Sequence, residues 1–270
     1  MEPPATHTTV GSLYEDLHLA WASGAEPVYG PMAQALVRRS PIELAGRMVL
    51  DVGAGTGVGS RALAEVGAHP VALDLAFSML AHDRDRRPPA AVADLFHPPV
   101  REGAVGGALA PFVLNHVDAP VDALGALAAC IEPGGIVLAS TFSEDDRDPV
   151  KDVIDAVALA RGWEAPDVYR FVRDQAAPLL GHPAGMADAA SAAGLVDVEV
   201  VKEVVDTGVA APEDLVAYRL ALPQFADFLS ALAPDERTEL ITDAVDAVER
   251  HRPSRESLAP VVLLLSARVA

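Results

Sequence analysis

The stretch VLDVGAGTGVGS, residues 49–60, is the strongest structural signal in the chain. It begins with an apolar run, reaches an acid at Asp51 and then carries glycines at positions 53, 55, 57 and 59. An apolar run that ends in glycines is typical of a strand that turns sharply, because glycine tolerates backbone angles and close approaches that other residues do not. The stretch therefore predicts a strand, a tight turn and a helix arranged around a ligand.

Three classes of ligand compete for this turn. A phosphate-binding P-loop ends in Gly-Lys-Ser/Thr, and this class is excluded because no lysine lies near residue 57. A dinucleotide fingerprint needs Gly-x-Gly-x-x-Gly, and its third glycine would fall on Val58 or Ser60, which weakens that interpretation without removing it. The pattern Asp-x-Gly-x-Gly-x-Gly is the third, and its acid favours a ligand ammonium group over a pyrophosphate.

The segments around the turn predict an α/β protein. Short apolar runs alternate with Ala-rich helical stretches up to residue 142, as in a parallel sheet with helices on both faces. Helical periodicity at residues 13–22 and 32–39 precedes these runs, and helices and two further strand-like segments follow them. We divide the chain into an N-terminal helical lid (1–45), a cofactor-binding α/β core (46–142), a helical insertion on the substrate side (143–195) and a C-terminal part of the core with an added helical pair (196–270).

Composition narrows the functional classes. The 270 residues are 51% hydrophobic, which suffices for a sizeable core, and acids outnumber bases 39 to 20 for a net charge of −19. Such a charge repels phosphate backbones, so nucleic acid is not expected as a partner. A single cysteine, Cys130, excludes an internal disulfide. Since no run approaches the ~20 apolar residues of a membrane span and the N-terminus lacks a signal-peptide pattern, we expect a cytoplasmic protein.

Five segments together carry a family resemblance. VLDVGAGTG resembles motif I of the class I S-adenosylmethionine-dependent methyltransferases, and four segments follow in the order of that family: PVALDLAFSML (70–80), AVADLFHPP (91–99), GGALAPFVLNHV (106–117) and IEPGGIVLAS (131–140). The resemblance implies a doubly wound, mostly parallel seven-stranded sheet of the Rossmann-like methyltransferase type. It also implies N-terminal lid helices and a helical insertion before the sixth strand.

S-adenosylmethionine is the cofactor that this resemblance implies. Asp74 would hold both ribose hydroxyls, Leu75 and Met79 would pack on the adenine, and Asp94 would meet the adenine amino group. The methionine moiety would lie between the glycine turn and the end of the fourth strand. The implied cofactor-binding set is Asp51, Gly53, Ala54, Gly55, Gly57, Asp74, Leu75, Met79, Asp94, Leu95, Ala110 and Pro111.

The chemistry of methyl transfer makes catalytic residues hard to identify from sequence. Displacement at a sulfonium has a neutral leaving group, so positioning supplies much of the catalysis, and a base is needed only when the acceptor must lose a proton. His116 follows the fourth strand, at the carboxyl edge where such sheets bind ligands, and is the best candidate for a base. The other interpretation is that His116 only lines the site.

Candidate substrate residues lie in the additions to the core. The segment ARGWEAPDVYRFVRD, residues 160–174, concentrates aromatic residues, which indicates either a pocket wall for a planar or anionic acceptor or anchors that dock the insertion. Tyr29 lies between prolines in a predicted lid, near the expected position of the cofactor carboxylate. The candidate set is Tyr14, His18, Tyr29, Trp163 and Tyr169.

These observations predict a methyltransferase that acts on a small organic molecule, such as a secondary metabolite or a quinone-like acceptor, by direct in-line displacement. No metal, nucleic acid or membrane is expected as a partner. One alternative is a methyltransferase-fold protein that binds the cofactor without methyl transfer, as a scaffold or as a repurposed pocket that catalyses a rearrangement. A nicotinamide oxidoreductase is the other, and the glycine spacing and Asp94 disfavour it.

Overall fold

A seven-stranded sheet forms the centre of the protein in a computed structural model that describes residue 11, residues 13–252 and residues 256–270. The strand order across the sheet is β3-β2-β1-β4-β5-β7-β6. The strands are β1 (Met48–Val52), β2 (His69–Asp74), β3 (Ala90–Val92), β4 (Val105–Pro111), β5 (Ile131–Phe142), β6 (Val196–Val204) and β7 (Val261–Arg268).

Most neighbouring strands run parallel. The pairs β1–β2, β1–β4, β2–β3 and β4–β5 are parallel, whereas β7 is antiparallel to both β5 and β6. This arrangement confirms the mostly parallel, seven-stranded α/β sheet that the sequence predicts. Because the strand order reverses between β1 and β4, their carboxyl ends border a crevice, which is the usual ligand position in open α/β sheets.

Helices connect the strands and cover both faces of the sheet. In chain order they are α1 (Glu26–Val37), α2 (Val58–Glu65), α3 (Phe77–Ala81), α4 (Pro120–Cys130), α5 (Val150–Ala160), α6 (Asp167–Phe171), α7 (Pro183–Ala192), α8 (Pro212–Leu220), α9 (Ala226–Ala231) and α10 (Pro234–His251). Four of them begin at a proline, whose fixed backbone angle and missing N–H suit the first helical position. Within the described residues, every helix is too short or too polar to cross a membrane.

Alternate residues of the central strands bury opposite faces of the sheet. Val49 packs with side chains of α1, α2 and α8, whereas its neighbour Leu50 packs with side chains of α4 and α7. Both residues are fully buried. Burial on both faces explains why these strands are continuous apolar runs rather than alternating patterns, and it leaves the strand ends as the place for a ligand.

The N-terminal segment departs from the continuous helix that its periodicity predicts. Residues 13–16 form turns, a single helical turn follows at His18–Ala20, and a π-helical turn at Trp21–Ala25 leads into α1. The Glu15 carboxylate instead accepts hydrogen bonds from the backbone N–H groups of Phe77 and Ser78, at the start of α3. This tertiary contact places the segment across the strand ends, while residues 1–10 and 12 of the predicted lid lie outside the described residues.

Candidate active site

A cavity of about 1040 Å³, counted with its open mouth, lies at the carboxyl ends of β1, β2 and β4. Eleven of the sequence-based candidates line it: Tyr14, Tyr29, Gly53, Ala54, Gly55, Asp74, Leu75, Met79, Leu95, Pro111 and His116. Seven candidates are absent from its wall: His18, Asp51, Gly57, Asp94, Ala110, Trp163 and Tyr169. The structure thus brings eleven of the candidates together around one cavity, and their roles in binding a ligand stay a prediction.

The glycine turn bends the chain around one side of the cavity. Gly53, Gly55 and Gly57 have positive φ angles of 66°, 53° and 104°. A Cβ atom on Gly53 would lie only 2.7 Å from Cγ2 of Val113, so a larger residue would have to displace the segment after β4. The turn consequently offers bare backbone to a ligand, as the sequence pattern predicts.

Asp74 is the charged group of the cavity wall. Its Oδ2 accepts a hydrogen bond from the Gly55 N–H at 2.7 Å, and its Oδ1 accepts one from the Ala76 N–H at 2.8 Å. Burial raises the pKa of this carboxyl, and the two backbone hydrogen bonds oppose that shift. The carboxylate thus ties the glycine turn to the end of β2 and faces the same ligand space.

Asp51 lies behind the glycine turn rather than on the wall. The side chain is fully buried, and its Oδ2 accepts a hydrogen bond from the Ser60 hydroxyl at 2.6 Å. Within the described residues its Oδ1 has no hydrogen-bond partner. Burial raises the pKa of Asp51 to about 6, against the lowering effect of Ser60. Asp51 is absent from the cavity wall, and its contact with a ligand ammonium group stays a prediction.

The far side of the wall is formed by apolar side chains after β2 and β3. Leu75, Met79 and Leu95 line the cavity there. Asp94 is absent from the cavity wall; its Oδ1 accepts a hydrogen bond from the Phe96 N–H at 2.9 Å, and its Oδ2 lies 3.6 Å from His97 Nδ1. Asp94 therefore supports the loop after β3 in this structure.

A short 3-10 turn, Leu114–His116, carries His116 onto the wall after β4. Burial lowers the pKa of His116 to about 4, so the imidazole is neutral near pH 7. The ring of Tyr14 lies 5.8 Å from that of His116, and burial, together with Asp74, raises the pKa of the Tyr14 hydroxyl. Both side chains are therefore uncharged groups that can accept or donate hydrogen bonds.

The aromatic part of the cavity wall begins beside the glycine turn, where a Cβ atom on Gly55 would lie 3.9 Å from Nε1 of Trp21. Tyr29 stacks on Trp21 with ring centroids 5.0 Å apart and meets Phe112 edge-on at 5.2 Å. Phe112 has a φ angle of 56°, a strained conformation for a bulky residue, directly after β4. We refer to Trp21, Tyr29 and Phe112 as the aromatic end.

Sequence reasoning missed ten residues of the wall, among them the polar or aromatic side chains of Trp21, Phe112 and Asn115. Phe112 directly follows the candidate Pro111, so extending that motif by one residue would have found it. Trp21 lies in a segment with helical periodicity and gave no sign that a π-helical turn would direct it inward. Asn115 is 9% exposed and directly precedes the candidate His116, so extending that motif by one residue would have found it as well.

Trp163 and Tyr169 are absent from the cavity wall, and their contacts favour the second interpretation of this segment, that its aromatic residues anchor the insertion. The Trp163 Nε1–H donates a hydrogen bond to the Gln224 carbonyl at 2.9 Å, and its ring stacks on Phe225 at 4.5 Å. The Tyr169 hydroxyl accepts a hydrogen bond from Nη2 of Arg219 at 3.3 Å. Both aromatic side chains therefore anchor the insertion on the C-terminal helices, because the apolar surface nearest to them belongs to those helices and not to the cavity.

His18 also lies off the wall. Its Nδ1 is buried without a hydrogen-bond partner in the described part of the chain, and its ring lies 5.8 Å from that of His82. Among the described residues, no group of three or more His, Cys, Asp or Glu side chains is arranged to hold a metal ion. His18 is absent from the wall of this cavity, and its contact with a substrate stays a prediction.

Comparisons with known proteins bear on this geometry. A methyltransferase-domain family matches residues 25–200, well over half of the chain. The chain is 33% identical over 110 residues to the demethylmenaquinone methyltransferase of Renibacterium salmoninarum, covering 40% of this chain and 46% of that protein. It is 30% identical over 169 residues to the ubiquinone biosynthesis O-methyltransferase of Burkholderia thailandensis, covering 58% of this chain and 68% of that relative.

A solved structure supports the fold over nearly the whole chain. The 4+2 cyclase SpnF is similar with a TM-score of 0.57 and 18% identity, covering 98% of this chain and 97% of that protein. At this identity the likeness concerns the fold alone. The family match leaves the nicotinamide oxidoreductase alternative without support. The glycine turn, the strand order and the match over residues 25–200 agree, and the chain belongs to the S-adenosylmethionine-dependent methyltransferases.

Proposed function

We propose that the protein transfers a methyl group from S-adenosylmethionine to a small aromatic acceptor with a phenolic, quinol-like oxygen. The observation that carries this proposal is the chemical contrast between the two ends of the cavity. One end has bare glycine backbone and the Asp74 carboxylate, and the other has the rings of Trp21, Tyr29 and Phe112. A polar, cationic cofactor suits the first end, and a planar acceptor suits the second.

The glycine-turn end fits the cofactor. Asp74 would accept hydrogen bonds from the ribose hydroxyls, and Leu75, Met79 and Leu95 would enclose the adenine. The methionine moiety would follow Gly53 and Gly55 toward Pro111. The unpaired, buried Oδ1 of Asp51 would then supply negative potential behind the turn, without direct contact, to an ammonium group in the cavity.

The residues of this chain would act mainly by positioning. When bound, the cofactor supplies an electrophilic methyl group on a sulfonium whose leaving group is a neutral thioether. Phe112 and Tyr29 would hold an acceptor ring and exclude water, since ordering the reactants supplies a large part of the rate enhancement in such reactions. His116, neutral near pH 7, would accept a hydrogen bond or a proton from the acceptor.

The charge of the wall favours an uncharged acceptor. Within the described residues, the cavity is lined by no lysine or arginine, and Asp74 is its one carboxylate. An acceptor with a phosphate or a free carboxylate would find no lysine or arginine on the described wall itself that could pair with it and offset the loss of its hydration. The names of the Renibacterium and Burkholderia relatives, a demethylmenaquinone and a ubiquinone-biosynthesis methyltransferase, support an acceptor of quinone type.

Transfer from S-adenosylmethionine with a labelled methyl group tests the proposal directly. The panel would contain 1,4-dihydroxynaphthalene, catechol and, as a matched anionic compound, 1,4-dihydroxy-2-naphthoate. We expect label in the uncharged phenols and little in the carboxylate. Labelling of the carboxylate alone, or of none of the three by a protein that binds S-adenosylhomocysteine, would contradict the proposed acceptor class.

A second function is favoured by the weakness of the base. With the pKa of His116 lowered to about 4, the cavity offers little driving force for removing a proton from the acceptor. A protein that binds the cofactor and catalyses a rearrangement would need no such base. Titration with S-adenosylhomocysteine, with NADH as the comparison ligand, separates the cases when combined with the transfer assay. Binding of the first ligand without methylation of any compound would favour this second function.

A further inference from the structure

A partly buried cluster of Phe142, Lys151 and Tyr218 lies against the aromatic end of the cavity. The ring of Phe142 lies 4.7 Å from that of Phe112 and 6.3 Å from that of Tyr29. The ammonium of Lys151, from α5, lies 4.7 Å from the centroid of the Phe142 ring. Tyr218, from α8, completes the cluster, with its ring 6.3 Å from that of Tyr29. The cavity wall is therefore backed by a cation and a second phenol.

Lys151 is a fixed charge within this cluster. Its Nζ lies 2.5 Å from Oδ2 of Asp146, whose side chain is 6% exposed. Burial lowers the pKa of Lys151, but the opposing effects of Tyr218 and Asp146 raise it above its ordinary value. The amine thus stays protonated, and part of its field acts on the Tyr218 hydroxyl.

Tyr29 connects this cluster to the ligand space. Its ring lines the cavity, while its hydroxyl interacts with that of Tyr218. Burial and then Tyr218 raise the pKa of Tyr29 well above its ordinary value, so the hydroxyl keeps its proton. Stacking on Trp21 and the edge contact with Phe112 fix the ring, and little side-chain entropy would be lost when a ligand binds.

We propose that Tyr29 contacts and orients the oxygen of the acceptor, and that Tyr218 and Lys151 are positioning residues that hold and polarise Tyr29. The inference rests on the proposed function and deepens it by naming the residue that selects an acceptor with a free hydroxyl. Tyr29 carries both a donor and an acceptor site, so it can pair with an O–H group more completely than with an ether oxygen. The Lys151 ammonium acts on this pairing through its field at the Tyr218 hydroxyl, since its hydrogen bond goes to Asp146.

Binding of two matched probes tests the proposal without turnover. The probes are 1-naphthol and 1-methoxynaphthalene, in which a methyl group replaces the hydroxyl hydrogen. The protein is saturated with S-adenosylhomocysteine in both titrations. Calorimetry would give the ratio of the two affinities for the unaltered protein and for Tyr29→Phe, which keeps the ring. We expect the unaltered protein to prefer 1-naphthol by about tenfold and Tyr29→Phe to lose most of that preference.

Two further changes separate positioning from general damage. Lys151→Met combined with Asp146→Asn removes the charge pair without leaving a buried carboxylate unpaired, and we expect an intermediate preference of about threefold. Tyr169→Phe is the matched control, because it removes the hydroxyl of a partly buried tyrosine that bonds to Arg219 and is absent from the cavity wall. In this control the tenfold preference should remain.

Each outcome decides the inference. An unchanged preference in Tyr29→Phe, or no binding of 1-naphthol by the unaltered protein, overturns it. A parallel loss of S-adenosylhomocysteine affinity in Tyr29→Phe also overturns it, since Tyr29 would then belong to the cofactor side. A preference that depends on Tyr29 in a protein that methylates no phenol would refute the proposed function and leave the orienting role intact.

Discussion

The two ends of the cavity were built from very different stretches of sequence. The glycine-turn end comes mostly from residues 52–58 and 73–79, in which neighbours along the chain are neighbours in the wall. The aromatic end joins Trp21 and Tyr29, from before the first strand, to Phe112, from the end of the fourth. A local motif can therefore specify where a cofactor binds, whereas the acceptor side depends on how distant segments pack.

This contrast predicts different consequences of mutation. Changes at the glycine-turn end should act on cofactor affinity, and changes in the docked insertion should act on stability. Changes near β4 should act on turnover and its pH dependence. The following predictions test whether the division holds, in order of decreasing expected effect.

Asp74→Ala should have the largest effect. We expect at least about a hundredfold loss of S-adenosylhomocysteine affinity, because two ribose hydroxyls lose a charged acceptor at about 1.5–3 kcal/mol per bond. Calorimetric titration measures the loss. Asp94→Ala is the comparison, and as an off-wall residue it should cost less than about tenfold. Equal losses in both variants would show that Asp94 also reaches the ligand.

Trp163→Ala should destabilise the protein without changing its ligand affinities. Removing a buried tryptophan typically costs about 3–5 kcal/mol of the free energy of unfolding. Trp163→Phe keeps the stack on Phe225 and should lose only about 1 kcal/mol, from the hydrogen bond to Gln224. Urea unfolding measures both. Weaker binding of 1-naphthol by the folded Trp163→Phe variant would return this residue to the substrate side.

Asp51→Asn should stabilise the unliganded protein in a pH-dependent way. Burial raises the pKa of Asp51 from 3.8 to about 6, so the folded protein favours the neutral carboxyl. The stability that this preference contributes is fully present below pH 4 and is lost as the pH rises through 6. The buried charge therefore costs up to about 3 kcal/mol at pH 8, which asparagine removes while keeping a partner for Ser60. Urea unfolding at pH 8 and pH 5 should show the larger gain at pH 8, and a gain independent of pH would contradict this account.

His116 should give the smallest effect near neutral pH. With its pKa lowered to about 4, the imidazole stays neutral, so kcat/KM should remain flat from pH 8 to about pH 5 before it falls. His116→Gln should leave S-adenosylhomocysteine affinity unchanged and slow turnover by less than about tenfold. A fall of kcat/KM below about pH 6.5 in the unaltered protein would contradict this account, because it would mean that His116 keeps the pKa of an ordinary histidine.

Several parts of the fold followed from residue patterns alone. The apolar runs at β1, β2, β4 and β5 are buried on both faces, and that burial fixes their composition independently of any partner. The tight turn at Gly53, Gly55 and Gly57 could also be predicted from the sequence, because few residues other than glycine adopt their positive φ angles. Asp74, at the end of β2, was placed on the wall by the same local logic.

Other assignments could not be made from the sequence, because the same side chain can line a ligand pocket or pack against another part of the fold. Trp163 suits a ligand pocket and a helix–helix contact equally well, and the position of Phe225, which is 62 residues away in the chain, decided between them. The predicted helix over residues 13–22 gave way to turns where Glu15 found the free N–H groups of α3. Such long-range contacts leave no periodicity in the sequence.

The sequence by itself determined the sheet core, the glycine turn and the acid at the end of β2, since each is a response of a few neighbouring residues to local steric and burial constraints. The tertiary structure alone decided that Asp51 stands behind the turn and that Trp21, Tyr29 and Phe112 meet at one end of the cavity. It also placed Lys151 behind them. These relations depend on packing between segments far apart in the chain. One sequence pattern is compatible with several arrangements of such segments, and close packing of the side chains selects among them.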